Sequence, residues 1–164
     1  MKVANGWFAG SGVALVLAVT LDATAAGDTA SGILTYKSKG GPTTATIKFG
    51  WLVKGPDDFD PKITIRHLIF SATDISAKIA ACKTVMCMQG SVGNGMTVDL
   101  GTGQRLNYWV SLNDQRLQYS GTVPPAALTL TTDTPTRLAG KLAFDDTAAD
   151  GPKADITFDT PLLQ

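Results

Sequence analysis

At 164 residues the chain has room for one domain and too little for two comfortable ones. Its 14 basic and 14 acidic residues cancel, which excludes the broad basic surface that a nucleic-acid backbone requires. Every acidic residue is aspartate and glutamate is absent; with Thr and Gly abundant, that balance favours turns and strands over helices and predicts an all-β protein.

Residues 1–26 read as a cleaved secretory signal peptide. Lys2 supplies a weak basic start, residues 13–21 (VALVLAVTL) a short apolar run, and Ala23, Thr24, Ala25 and Ala26 a small-residue cleavage site. The run falls short of the roughly 20 apolar residues that cross a bilayer, and Asp22 ends it. An uncleaved anchor over residues 7–21 is the competing reading. The expectation is therefore a periplasmic or secreted protein, residues 27–164 forming one β-rich domain with no stable membrane anchor after cleavage.

Alternation of apolar and polar residues then marks the strands in order. Residues 33–37 place Leu34 and Tyr36 on one face, and 38–42 (SKGGP) form a turn. Residues 44–54 are the most regular stretch, with Ala45, Ile47, Phe49, Trp51 and Val53 on one face and Gly50 marking a possible bulge. Residues 62–70 put Ile63, Ile65, His67 and Ile69 in one row; the other row passes from Thr64 and Arg66 to Leu68 and Phe70. That change predicts a strand half-exposed at its start and buried on both sides at its end. Thr73 and Asp74 are cap residues for a short helix whose stripe is Ile75, Ile79 and Cys82. The loop CKTVMC follows it.

Beyond a glycine-rich loop at 89–95, strands are expected over residues 96–100, 105–112, 115–123, 126–132, 136–144 and 153–160. The Asn113-Asp114 pair predicts a hairpin joining two of them. Gly101 and Gly103 lie between strands and punctuate a turn instead of opening a phosphate-binding helix. The sum is about nine antiparallel strands in a single β-sandwich or a small flattened barrel, with one short helix before a disulfide loop.

Cys82 and Cys87 are the only cysteines. In an exported chain they predict a structural disulfide, adding about 2 kcal/mol by the chain-entropy estimate. Redox catalysis is the sharper reading, but the spacing is C-x4-C without a thioredoxin-like surround. His67 is the single histidine, and its row of isoleucines favours a hydrogen-bonded core residue over a catalytic one. A triad around it would have to assemble in space, because no G-x-S-x-G elbow occurs. The aspartates of 57–60 and of 145–150 miss the spacing of a calcium loop and read as turn residues. No metal and no cofactor is called for.

Trp109 is the anomaly. It falls on the face of residues 105–112 that otherwise carries Arg105, Asn107 and Ser111, the composition of a binding hot spot. Arg116 and Gln118, on the paired strand, extend the same face; the bland alternative is a ring covered by a loop. The expected function is a non-enzymatic binding module whose partner is a protein, of inhibitor or immunity type, contacted through Arg105, Asn107, Trp109 and Arg116. One alternative is a carrier of a small apolar ligand in a barrel interior lined by Phe49, Trp51, Tyr108, Tyr119 and Phe144. Another is a hydrolase using His67 or a pair of aspartates.

Overall fold

The computed structural model describes residues 29–57, 59–101 and 103–163; the signal-peptide reading of residues 1–26 lies outside them. Ten strands form two five-stranded antiparallel sheets stacked as a sandwich. The first contains β1 (Ala30–Ser38), β2 (Gly41–Ile47), β8 (Leu128–Thr134), β9 (Arg137–Asp145) and β10 (Lys153–Pro161), in the order β2-β1-β10-β9-β8. The second runs β3-β4-β5-β6-β7, from β3 (Phe49–Pro56), β4 (Thr64–Ser71), β5 (Gly95–Leu100), β6 (Leu106–Leu112) and β7 (Leu117–Val123). The sheets do not close on each other, so the fold is the sandwich of the two expected architectures.

The regular stretch 44–54 is not one strand. It divides at Lys48, whose carbonyl accepts from the Ala30 amide of the first sheet while its own amide donates to Ser71 of the second, each at 3.1 Å. The chain changes sheet there, and its alternation changes meaning with it. Ala45 and Ile47 point into the space between the sheets, whereas Phe49, Trp51 and Val53 line the outer side of the second sheet. Leu52 takes the inward place instead. Gly50 pairs regularly with Phe70 and makes no bulge. A side chain on it would meet the Thr160 methyl at 2.9 Å, so glycine lets the sheets approach where the chain crosses.

Between the sheets lies the main core, built from Leu34, Ile47, Leu52, Leu68, Phe70, Met96, Val98, Tyr108, Val110, Leu138, Leu142, Ile156 and Phe158. In β1 and β5–β10 these are the inward positions that alternation assigns; in β4 it is Leu68 and Phe70 that face the main core, while the isoleucine row turns to the outer side. At one end Tyr36, Tyr119, Tyr108 and Phe144 make an aromatic cluster, the last two with ring centres 5.0 Å apart. Burial, then the 2.8 Å hydrogen bond that the Tyr108 hydroxyl donates to Asp146, push that phenol well above its ordinary pKa.

A second, smaller core covers the outer face of β3 and β4. Two helices, α1 (Ser76–Ala81) and α2 (Val85–Gln89), bring Ile75, Ile79, Cys82, Val85 and Met88 down onto Trp51, Val53 and Ile69. The Ile75, Ile79, Cys82 stripe is buried as its spacing predicts. The expected cap is displaced by one residue: Ile75 takes the N-cap position without a side-chain capping bond, and Asp74 before it accepts from the Ser76 amide at 2.8 Å. The second helix is a correction, since the sequence reading placed a single helix before the cysteine loop. Its signal is Thr84, whose hydroxyl accepts from the Cys87 amide at 3.2 Å and caps a segment too short to show periodicity. Cys82 and Cys87 are bonded, with Cα atoms 5.5 Å apart, and clasp the end of α1 to the middle of α2. Glycine at 55 admits this layer, because a Cβ there would overlap the Val85 methyl. None of the helices among the described residues is long and apolar enough to cross a membrane.

The hairpin between β6 and β7 has the expected partners but a longer turn. Leu112 pairs with Leu117, leaving four residues, 113–116, in the loop. Asn113, Asp114 and Gln115 all have positive φ there, at 51°, 51° and 67°. The first two belong to the residue types that tolerate the left-handed region best.

Candidate functional site: a groove over the second sheet

The helical layer packs against β3 and β4 of the second sheet's outer face. Where it stops, over β5, β6 and β7, a cavity of about 400 Å³ opens between α2 and the strands. That volume lies within the range of small-ligand sites, roughly 300–1,000 Å³. Trp109, partly exposed, is its floor. Thr97 of β5 and Ser120 of β7 are the cross-strand neighbours of the indole, and Ser111 follows it along β6. Gln89, Gly90 and Val92 supply the opposite wall, and Met86 stands at the rim, 76% exposed.

The turn 113–116 holds this wall in place. Gln115 donates its side-chain amide to the carbonyl of Gly90 at 2.6 Å and to that of Val92 at 3.2 Å. Asn94 accepts from the Asn113 amide at 2.7 Å and donates to Asp114 at 3.0 Å. The left-handed backbone of residues 113–115 is what lets one turn reach back to the loop after α2.

Two polar atoms here are buried without a partner among the described residues, Thr97 Oγ1 and Gln89 Nε2. Buried polar groups are nearly always hydrogen-bonded, and each exception costs about 1–3 kcal/mol. Both residues line the groove. Nothing local in the sequence marks Thr97, which sits in an alternating strand as an ordinary outward threonine. It is nevertheless only 2% exposed, because α2 and Trp109 flank it.

Of the residues that sequence reasoning grouped, the structure keeps Trp109 with Gln118, which also lines the groove. Asn107 lies on the same outer face, opposite Asp99, outside the lining. Arg105 is tied down, donating to the Thr122 hydroxyl at 2.5 Å and to the Thr122 carbonyl at 2.8 Å. Arg116 is exposed in the turn at the other end of the hairpin. The strand rise puts the two arginines' backbones about 25 Å apart. They do not form one patch with Trp109.

His67 and Asp99 form a separate, sealed pair on the same face. Nδ1 and Oδ1 are 2.7 Å apart, and the two side chains are 0% and 2% exposed. The histidine is a packed, hydrogen-bonded core residue, as its row of isoleucines predicts. The aspartates of the acidic loops are engaged in local structure: Asp57 accepts from the amides of Phe59 and Asp60, and Asp146 from Tyr108. A second cavity of about 530 Å³ lies at the edge of the sandwich beside Lys54, Arg66 and Asp133. Its best-placed charges satisfy each other, Arg66 pairing with Asp133 at 2.6 Å.

The aromatic row that would line a barrel interior is also split. Tyr108, Tyr119 and Phe144 are between the sheets, while Phe49 and Trp51 stack at 6.1 Å beside the helical layer. The change of sheet at Lys48 is the cause. Compared with known proteins, the chain matches no family model, no curated protein and no solved structure.

Proposed function

We propose that this protein is an exported, non-enzymatic binding module that takes its partner in the groove over Trp109. One observation carries the reading: a partly exposed indole shares a concave site with Thr97 and Gln89, each holding a buried polar atom that lacks a partner. The disulfide is what an oxidising compartment allows and supports export. The burial of the single histidine speaks against its use in catalysis, since a reacting group must meet its substrate.

A protein partner is the second reading, favoured by Met86. An exposed, flexible apolar side chain at the rim of a groove suits a protein surface that must adapt. Arg105, Asn107 and Arg116 would then act as outlying contacts. A carrier holding an apolar ligand between the sheets lacks its vessel, because the sandwich is open and its interior is filled by side chains.

The test compares the mature protein with a Trp109→Ala variant. Both are immobilised and exposed to the envelope extract and culture fluid of the source cell, and retained molecules are identified by mass spectrometry. The expected result is a ligand held by the parent and lost by the variant, with thermal unfolding nearly unchanged. Identical retention, or a large drop in unfolding temperature, would make Trp109 a packing residue and remove the reading.

A further inference from the structure

Trp109 is surrounded by shorter polar residues. Across the strands it meets Thr97 and Ser120, with Cβ atoms about 5 Å away, and along β6 it meets Asn107 and Ser111. Every one of these side chains ends in a hydroxyl or an amide, and all are shorter than an indole. Gln89 from α2 and Gln118 from β7 bring two more amides to the groove. The result is an indole platform beside neutral hydrogen-bonding groups, with Met86, Val92, Val110 and Tyr119 completing the lining.

The lining carries no charge. Not one aspartate, lysine, arginine or histidine is among the residues that form the groove. A phosphate or carboxylate ligand would find no cation to pair with, and an amine would find no carboxylate. An apolar ligand is also a poor fit, because it would leave Thr97 Oγ1 and Gln89 Nε2 as unsatisfied as before. The occupant has to be neutral, present an apolar face to the indole and carry hydroxyls around its edge that both donate and accept.

We infer that the groove over Trp109 binds a neutral saccharide, one sugar ring lying on the indole with its hydroxyls meeting Thr97, Ser111, Ser120, Gln89 and Gln118. A pyranose has this arrangement: axial C–H bonds make an apolar face, and hydroxyls radiate from its rim. Amides and hydroxyls match it because each can donate or accept as the sugar demands. Thr97 stands directly across from Trp109 and lines the groove, and its buried hydroxyl has no partner among the described residues. The inference rests on the groove being the binding site, and it names the ligand class.

The experiment is a titration of the mature, oxidised, isotope-labelled protein, read by NMR at the Trp109 indole N–H and the Gln89 and Gln118 side-chain amides. Three sets of probes are added separately: neutral oligosaccharides of glucose, galactose, mannose and N-acetylglucosamine; short uncharged peptides; and nucleosides. Saturable shifts at these groups with a saccharide, and not with the others, are the expected result. Shifts there with peptides or nucleosides alone would overturn the saccharide inference and leave the groove as the site. An absence of shifts there with all three would overturn both.

A Thr97→Val variant guards against misfolding. It removes the hydroxyl while keeping the branched shape that suits a strand. Saccharide affinity should fall about tenfold, as loss of one hydrogen bond implies, while the unfolding temperature stays the same or rises. Unchanged affinity would overturn the part assigned to Thr97 and to its unpaired hydroxyl.

Discussion

The sandwich has two outer faces, and they are built on opposite rules. On the first sheet, Lys141 meets Asp155 at 2.9 Å, Lys153 meets Asp145 at 2.9 Å and Arg137 meets Asp159 at 2.6 Å, all exposed. This ladder of ion pairs keeps the face in water and needs nothing to cover it. The outer face of the second sheet carries Trp51, Val53, Ile69 and His67, which the clasped helices bury, and then Trp109, which they leave partly open. Two outer faces of one fold thus differ, one covered by exposed ion pairs and the other by a helical layer that leaves a groove beside it.

The comparison breaks most sharply at the helical layer. Ile79, fully buried on the second sheet's outer side, should lose about 2–5 kcal/mol on substitution by alanine, read from urea unfolding. Lys141→Ala on the opposite face should stay within about 0.5 kcal/mol. Equal costs for the two would mean that the helices are a loose cover and not a second core.

A middle-sized effect is expected at the clasp. Replacing Cys82 and Cys87 with serine should cost about 2 kcal/mol by loop entropy. Amide hydrogen exchange should quicken in α1 and α2 while β8, β9 and β10 keep their protection. Uniform quickening across both sheets would show that the layer and the sandwich unfold as one unit.

The smallest effect belongs to the charged face and depends on pH. The Arg66 and Arg137 guanidinium groups hold Asp133 and Asp159 below the usual carboxylate pKa, and the Thr147 hydroxyl and then Lys153 bring Asp145 to about 2. At the helix start, the backbone amide of Ser76 lowers Asp74. A carboxyl with a lower pKa folded than unfolded stabilises the fold above its unfolded value near 3.8 and loses that contribution as pH falls through the folded one. Unfolding temperature should therefore decline modestly from about pH 4 towards pH 2, and less so in high salt. A rise over that interval would contradict the sign.

Much of the fold is legible in the alternation of single strands. Leu106, Tyr108, Val110 and Leu112 against Arg105, Asn107 and Ser111 can be read at sight, since one face of a strand has to leave water. The hairpin from β6 to β7 follows from its turn residues, although the loop is longer than the Asn113-Asp114 pair suggests, because Gln115 and Arg116 are drawn into it. The stretch 44–54 misleads for a physical reason. Alternation reports that a side is buried and is silent about what buries it. Trp51 and Ile47 look alike in sequence, yet one lies under helices and the other between sheets.

The candidate site shows the same limit more severely. Trp109 stands out as an aromatic on a polar face, but its companions come from α2, from β5 and from the turn after β6, separated from it by up to 23 residues along the chain. The sequence by itself determined that the chain is β-rich, which residues turn inward in most strands and that the two cysteines pair, and it favoured a core His67, which the structure buries. Those properties depend on near neighbours or on the period of a strand. Only the tertiary structure decided where the chain changes sheet, that the helical layer packs on β3 and β4, and that Thr97 and Gln89 line the same groove. These depend on which surfaces meet, and a one-dimensional pattern of polar and apolar residues does not encode that.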